Sequence, residues 1–204
     1  MTEVEERSAL SPEVGTTRVE AFSDSVMAVI ITILAFELRP PQGAGLDAVR
    51  DQLPGVLVYI LSFVFVGIYW NNHHHLLRAA NRISGAAMWA NLFLLFWLSL
   101  IPVLTEWVRD EYRHALPAAS YGAVALAAGL AYAILVRALI RANGRESRLA
   151  RAIGSDIKGY LSLVLYVAAI GLAFVSPWIA YGIFVAVALM WFVPDRRFTR
   201  RPDE

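Results

Sequence analysis

The chain contains no cysteine and a single lysine, Lys158. Without cysteine there can be no disulfide, no thiolate metal site and no thiol nucleophile. With one lysine, arginine carries nearly all the basic charge, a bias that suggests a GC-rich, bacterial source. The N-terminal stretch MTEVEERSALSPEVGTT is acidic and polar, lacking the basic start and apolar centre of a signal peptide. It reads instead as a cytoplasmic tail over residues 1–16. The arginines lie between apolar runs and are not interleaved with aromatics, so no nucleic-acid partner is implied. No internal repeat is visible.

Charge is also missing from long stretches. Residues 25–36, 52–77, 83–105, 114–136 and 159–194 contain no Asp, Glu, Lys or Arg. The chain is 58% hydrophobic, with a mean hydropathy of +0.53. A bilayer-crossing helix needs roughly 17–25 mostly apolar residues, so the pattern is that of an all-α polytopic membrane protein.

The predicted spans follow from these runs. The first covers residues 18–38, opened by a capping box, Thr17-x-x-Glu20, and stopped by Pro40 and Pro41. The second covers residues 51–77 and the third 84–107. The fourth covers 117–140, with Gly122, Ala125 and Gly129 on a face suited to close helix contact. The last apolar stretch would be about 54 Å long as one helix, against a hydrocarbon core of about 30 Å. Ser176-Pro177 is a natural break, giving spans over 156–175 and 177–193. Residues 17–194 thus form one domain of six transmembrane helices, followed by a cytoplasmic C-terminal tail over 195–204.

Six crossings put both termini on one side. Fourteen Lys and Arg fall on that side, against four on the other: Arg39, Arg50, Arg109 and Arg113. The positive-inside rule then makes both termini cytoplasmic, in a bacterial inner membrane. The basic segment 141–155 is suited to anionic lipid headgroups, although topology alone explains it equally well.

The first span carries polar groups that need explanation. On a wheel turning 100° per residue with Val29 at zero, Ser25 falls at about −40°, Thr32 at about −60°, Ile33 at about +40° and Phe36 at about −20°. These form one stripe, while Asp24 falls at about −140°, on the opposite side. Periodicity alone allows the stripe to pack in a core or to face lipid. A carboxylate at the depth of Asp24 needs partners. The second span ends in YWNNHHHLLR on the same side, and the third carries Asn91 at similar depth. Ser23, Asp24, Trp70, His73 or His74, and Asn91 are therefore expected to form one network within a subunit. It would clamp helices together, or relay protons. A metal site is not expected, because consecutive histidines diverge by about 100° on a helix and no adjacent acidic ligand completes a set.

The pattern Arg18-x-x-x-Phe22-Ser23-Asp24, followed by SVMAVIITILAFEL, resembles the signature of the transmembrane protein 175 family of potassium-permeable channels. The resemblance extends through the Trp/His-rich end of the second span and is topological beyond it. It implies a homotetramer, with four first helices lining a central pore. On that resemblance Val29, Ile33 and Phe36 map to the hydrophobic constriction and Thr32 to a pore threonine, with Ser25 on the same stripe. Arg18 and Asp24 map to organisers of the inner helix ends.

No Thr-Val-Gly-Tyr-Gly filter is present, so selectivity would be modest. It would come from narrow oily rings at which K⁺ sheds water more cheaply than Na⁺. Glu37 would lie at the external mouth and concentrate cations, or else pair with Arg39. The expected partners are thus further copies of the chain, the lipid bilayer and permeant monovalent cations, K⁺ above all, with no cofactor. Two other readings compete: a proton-permeable channel or leak using the Asp24/His network, and a non-conducting membrane scaffold or enzyme.

Overall fold

The structure, a computed structural model, describes residues 12–154 and 156–192. Among the described residues there are eight helices and no strand: α1 Pro12–Phe36, α2 Leu46–Ala79, α3 Gly85–Ser99, α4 Ile101–Glu111, α5 Ala115–Asn143, α6 Arg148–Ile153, α7 Ile157–Ala173 and α8 Pro177–Phe192. Most of the expected N-terminal tail, and the C-terminal tail, lie outside the described residues.

Helix α1 starts five residues before Thr17, at Pro12. Proline suits a first helical position because the N–H it lacks would have no partner there. Thr17 is therefore inside the helix and not at its N-cap. At the other end the helix stops at Phe36, where Glu37 N–H bonds back to the Leu34 carbonyl at 3.1 Å. Helix α2 is longer than expected. Its 34 residues span about 51 Å, so it must project beyond a hydrocarbon core of about 30 Å.

The third apolar run is not one helix. Ser84 caps its start by accepting from Ala87 N–H at 3.2 Å, but the run breaks at Leu100 between α3 and α4. Pro102 is the cause: it has no N–H to offer the Leu98 carbonyl. The Leu100 N–H turns instead to Trp97, at 3.3 Å.

The split at Ser176-Pro177 is present, with α7 ending at Ala173 and α8 starting at Pro177. Asp156 caps α7 through Gly159 N–H at 2.9 Å. Four segments are long and apolar enough to cross a membrane: Thr16–Phe36, Leu46–Ala79, the joined Gly85–Glu111, and Ala115–Asn143. Helices α7 and α8 are apolar but shorter, at 17 and 16 residues.

Helix α5 is the hub, packed against α3, α4, α7 and α8. Its small residues allow this. Ala118, Ala125, Ala128 and Ala131 are fully buried. A Cβ at Gly129 would stand 2.8 Å from Leu163 of α7, and one at Gly122 would stand 3.0 Å from Ile170. The expected small-residue face is thus the α5–α7 contact. Helix α1 lies off to one side, packing mainly on α2, α3 and α4. Its Met27, Ile30 and Leu34 are the buried edge.

A buried polar triplet adds register to this packing. Thr105 of α4 donates to Ser62 of α2 at 2.7 Å, and Ser62 meets the Tyr121 hydroxyl of α5 at 3.1 Å. At the other end of α5, the Asn143 side chain accepts from the backbone N–H groups of Asn81 and Arg82, both at 2.9 Å. It thereby ties down the turn between α2 and α3.

Candidate functional site

The two sides of α1 differ sharply. Ser23, Met27, Ile30 and Leu34 turn inward and are buried, while Phe22, Ser25, Val29, Thr32, Ile33 and Phe36 turn outward. Val29 is 57% exposed, Ile33 43% and Phe36 80%. The wheel stripe is therefore a physical edge of the folded chain, facing away from its own core. Its hydroxyls do not reach to neighbouring helices. Ser25 and Thr32 each donate to the carbonyl four residues back, Ala21 and Ala28, at 2.8 Å. This habit satisfies a hydroxyl in an apolar setting and leaves its lone pairs directed outward.

The expected polar network is present but divided. Asn91 of α3 is the joint of its first part. Its amide donates to Ser23 Oγ at 2.8 Å, and its carbonyl oxygen meets His73 Nε2 at 2.7 Å. All three residues are buried. Ser23 passes its own proton to the Val19 carbonyl at 2.8 Å. The chain of bonds therefore runs α1–α3–α2 and pins the three helices at one level.

The second part gathers the expected Trp70 and His74 around a residue not expected there, Glu20. His74 leaves the buried group and places Nδ1 2.9 Å from Glu20 of α1. The Trp70 ring stacks on His74, with centroids 6.0 Å apart and planes inclined by 23°. Asp24 belongs to neither part through a hydrogen bond. Its Oδ1 is buried without a partner among the described residues. It lies close to the second part, since ligand atoms of Glu20, Asp24 and His74 all fall within 4.8 Å of one another. Arg18 is exposed. From local pattern alone Glu20 has only a capping role; its spacing of four from Asp24, on the same face of one helix, was the available signal.

At the opposite end Glu37 is held by Arg109 of α4 rather than by Arg39. Arg109 donates to the Glu37 carboxylate at 3.1 Å and also to its backbone carbonyl. The Arg109 side chain is only 8% exposed, and its stem passes beneath Gly55 of α2. Arg39 instead approaches Glu106 and Asp110, at 3.6 and 3.7 Å. Three carboxylates and two guanidinium groups thus form one cluster at the C-terminal end of α1.

A cavity of about 260 Å³ lies away from α1, between α2, α5, α7 and α8. Phe65, Tyr69, Tyr132, Tyr166 and Trp191 wall it, and Arg137 with Asp156 sit at its polar edge.

These features define a multi-pass α-helical membrane protein whose first helix presents a hydroxyl-dotted apolar edge outside its own core. Its relatives are more specific. The profile of the family described as endosomal/lysosomal potassium channel TMEM175 matches residues 18–102. A potassium channel of Chryseobacterium sp. is 46% identical over 187 residues, covering 92% of this chain and 97% of the relative. The endosomal/lysosomal proton channel TMEM175 of Gallus gallus is 30% identical over 124 residues, covering 53% of this chain and 25% of the relative. The crystal structure of a lysosomal potassium-selective channel TMEM175 homolog from Chamaesiphon minutus superposes with a TM-score of 0.77 at 25% identity, covering 88% of this chain and 97% of that one. The chain belongs to the TMEM175 family, whose members are ion channels, and the enzyme reading is set aside on that ground.

Proposed function

We propose that the chain is one subunit of a homotetrameric, potassium-permeable cation channel of a bacterial inner membrane. It would cross six times, with both termini cytoplasmic, and the outward edge of α1 would line a central pore. The observation that carries this reading is the exposure of Ser25, Val29, Thr32, Ile33 and Phe36 while the opposite side of α1 is buried. An edge destined only for lipid has no need of hydroxyls at two successive levels. An edge that meets three copies of itself gains from both residue types. The apolar residues form collars that hold back water, and the Thr32 hydroxyls replace part of an ion's hydration shell. With no carbonyl filter, preference for K⁺ over Na⁺ would be modest and set by dehydration at the collars.

Potassium flux into proteoliposomes tests the assignment. Val29→Asn and Ile33→Asn should each raise the flux by wetting a collar. Unchanged flux in both variants would remove α1 from the pathway.

A second reading has a specific basis. A vertebrate relative is named a proton channel, and α1 carries Glu20 in contact with His74. Reversal potentials under opposed K⁺ and H⁺ gradients rank the two ions. A potential that follows the proton gradient alone would favour the second reading.

A further inference from the structure

We infer that Glu20, Asp24 and His74 form a binding site for one divalent transition-metal ion, with Zn²⁺ as the best-matched probe. The site joins the cytoplasmic half of α1 to α2. It does not depend on the pore assignment, because all its ligands come from a single chain.

Geometry comes first. Glu20 and Asp24 are four residues apart on α1 and therefore share a face. His74 comes from α2 and already stands 2.9 Å from Glu20. The three ligand atoms lie within 4.8 Å of one another. In a tetrahedral zinc site with bonds of about 2.0–2.2 Å, ligand atoms are separated by about 3.3–3.6 Å, so small side-chain rotations suffice. Two carboxylate oxygens, one imidazole nitrogen and a water make a donor set suited to Zn²⁺ or Co²⁺.

Charge and satisfaction give the second argument. Asp24 Oδ1 is a buried acceptor with no hydrogen-bond partner among the described residues, and such an atom is costly in an apolar setting. Glu20 and Asp24 bring two carboxylates together beside the His74 ring. A dication would bridge all three groups through their free lone pairs. The imidazole is already oriented, because Trp70 stacks on the His74 ring. The site is reachable, with the Glu20 and His74 side chains 20% and 29% exposed.

The test is zinc titration of the purified full-length protein in detergent by calorimetry, after chelator treatment. One ion per chain is expected. Binding should weaken by about tenfold or more in both Glu20→Gln and His74→Ala, and be retained in His75→Ala and His114→Ala. Equal binding by the wild type and both ligand variants, or none by the wild type, would overturn the proposal. A measurement on the unmutated protein guards against misfolded variants. X-ray absorption of the zinc-loaded wild type should show one imidazole and otherwise oxygen ligands. A shell with no imidazole, or with several, would also overturn it.

Discussion

Asn91 is a single side chain that satisfies two others on two different helices. Its carboxamide has both a donor and an acceptor, so it can answer Ser23 and His73 together. Leucine, of similar size, can answer neither. Asn91→Leu should therefore lower stability by about 1–3 kcal/mol, the usual cost of stranding a buried polar group. Thermal unfolding in detergent would measure it. Asp24 should behave differently, because its Oδ1 bonds to nothing among the described residues. In metal-free buffer, Asp24→Asn should leave the melting temperature unchanged or raise it, since it removes a half-buried charge without breaking a bond. A marked loss would mean that the carboxylate has a partner in the assembled protein. The difference between these residues marks a limit of sequence reading. Depth along the helices was enough to gather Ser23, His73, Asn91 and Asp24 at one level. Which of them bond to each other depends on rotamers and helix rotation, and periodicity carries neither. Glu20 was missed for a related reason, since its capping role assumed a helix start that lies further upstream.

Among the elements, spans were the legible part and breaks were less so. Charge-free runs located α1, α2, α5, α7 and α8, because a helix in lipid cannot afford unpaired charge. Ser176-Pro177 stood out at the middle of an overlong run. Pro102 did not, because the run 83–105 already had the length of one crossing and needed no division. The C-terminal end of α1 was hidden more deeply. Arg39 is close to Glu37 in sequence, yet Arg109, from α4, takes it. No local pattern reports a contact across 72 residues. This contact makes an element-level prediction. Arg109 holds both the carboxylate and the backbone carbonyl of Glu37, and so fixes where α1 ends. Arg109→Gln shortens the side chain and removes the charge. It should release Glu37, lower the melting temperature, and raise cation flux if four freed carboxylates gather at a shared mouth. Glu37→Gln, Arg109→Gln together should lose that gain in flux. Equal flux in the single and double variants would show that Glu37 takes no part in conduction.

For the whole molecule, the question is what covers the outward edge of α1. Lipid and three further copies are both chemically acceptable neighbours for Val29, Ile33 and Phe36, so burial within one chain does not separate them. Mass is one discriminator: four copies of a 22.6 kDa chain give a complex of about 90 kDa beyond its detergent. The absence of cysteine supplies a sharper one. Any cysteine introduced is the only thiol in its chain, so every disulfide formed must join two chains. A disulfide requires Cα atoms about 4.4–6.8 Å apart, a distance met only where copies of the same residue approach each other. Under mild oxidation in membranes, Val29→Cys and Ile33→Cys should give cross-linked dimers, because each lies on the edge directed at the proposed axis. Val164→Cys, on the outward side of α7 and 65% exposed, should remain monomeric under the same treatment. The pair of outcomes is informative because both positions are apolar and exposed within one chain. Only their relation to a symmetry axis differs. Cross-linking at Val164 with none at Val29 or Ile33 would assign α7 to the subunit interface and α1 to the lipid, and the pore would have to be sought elsewhere.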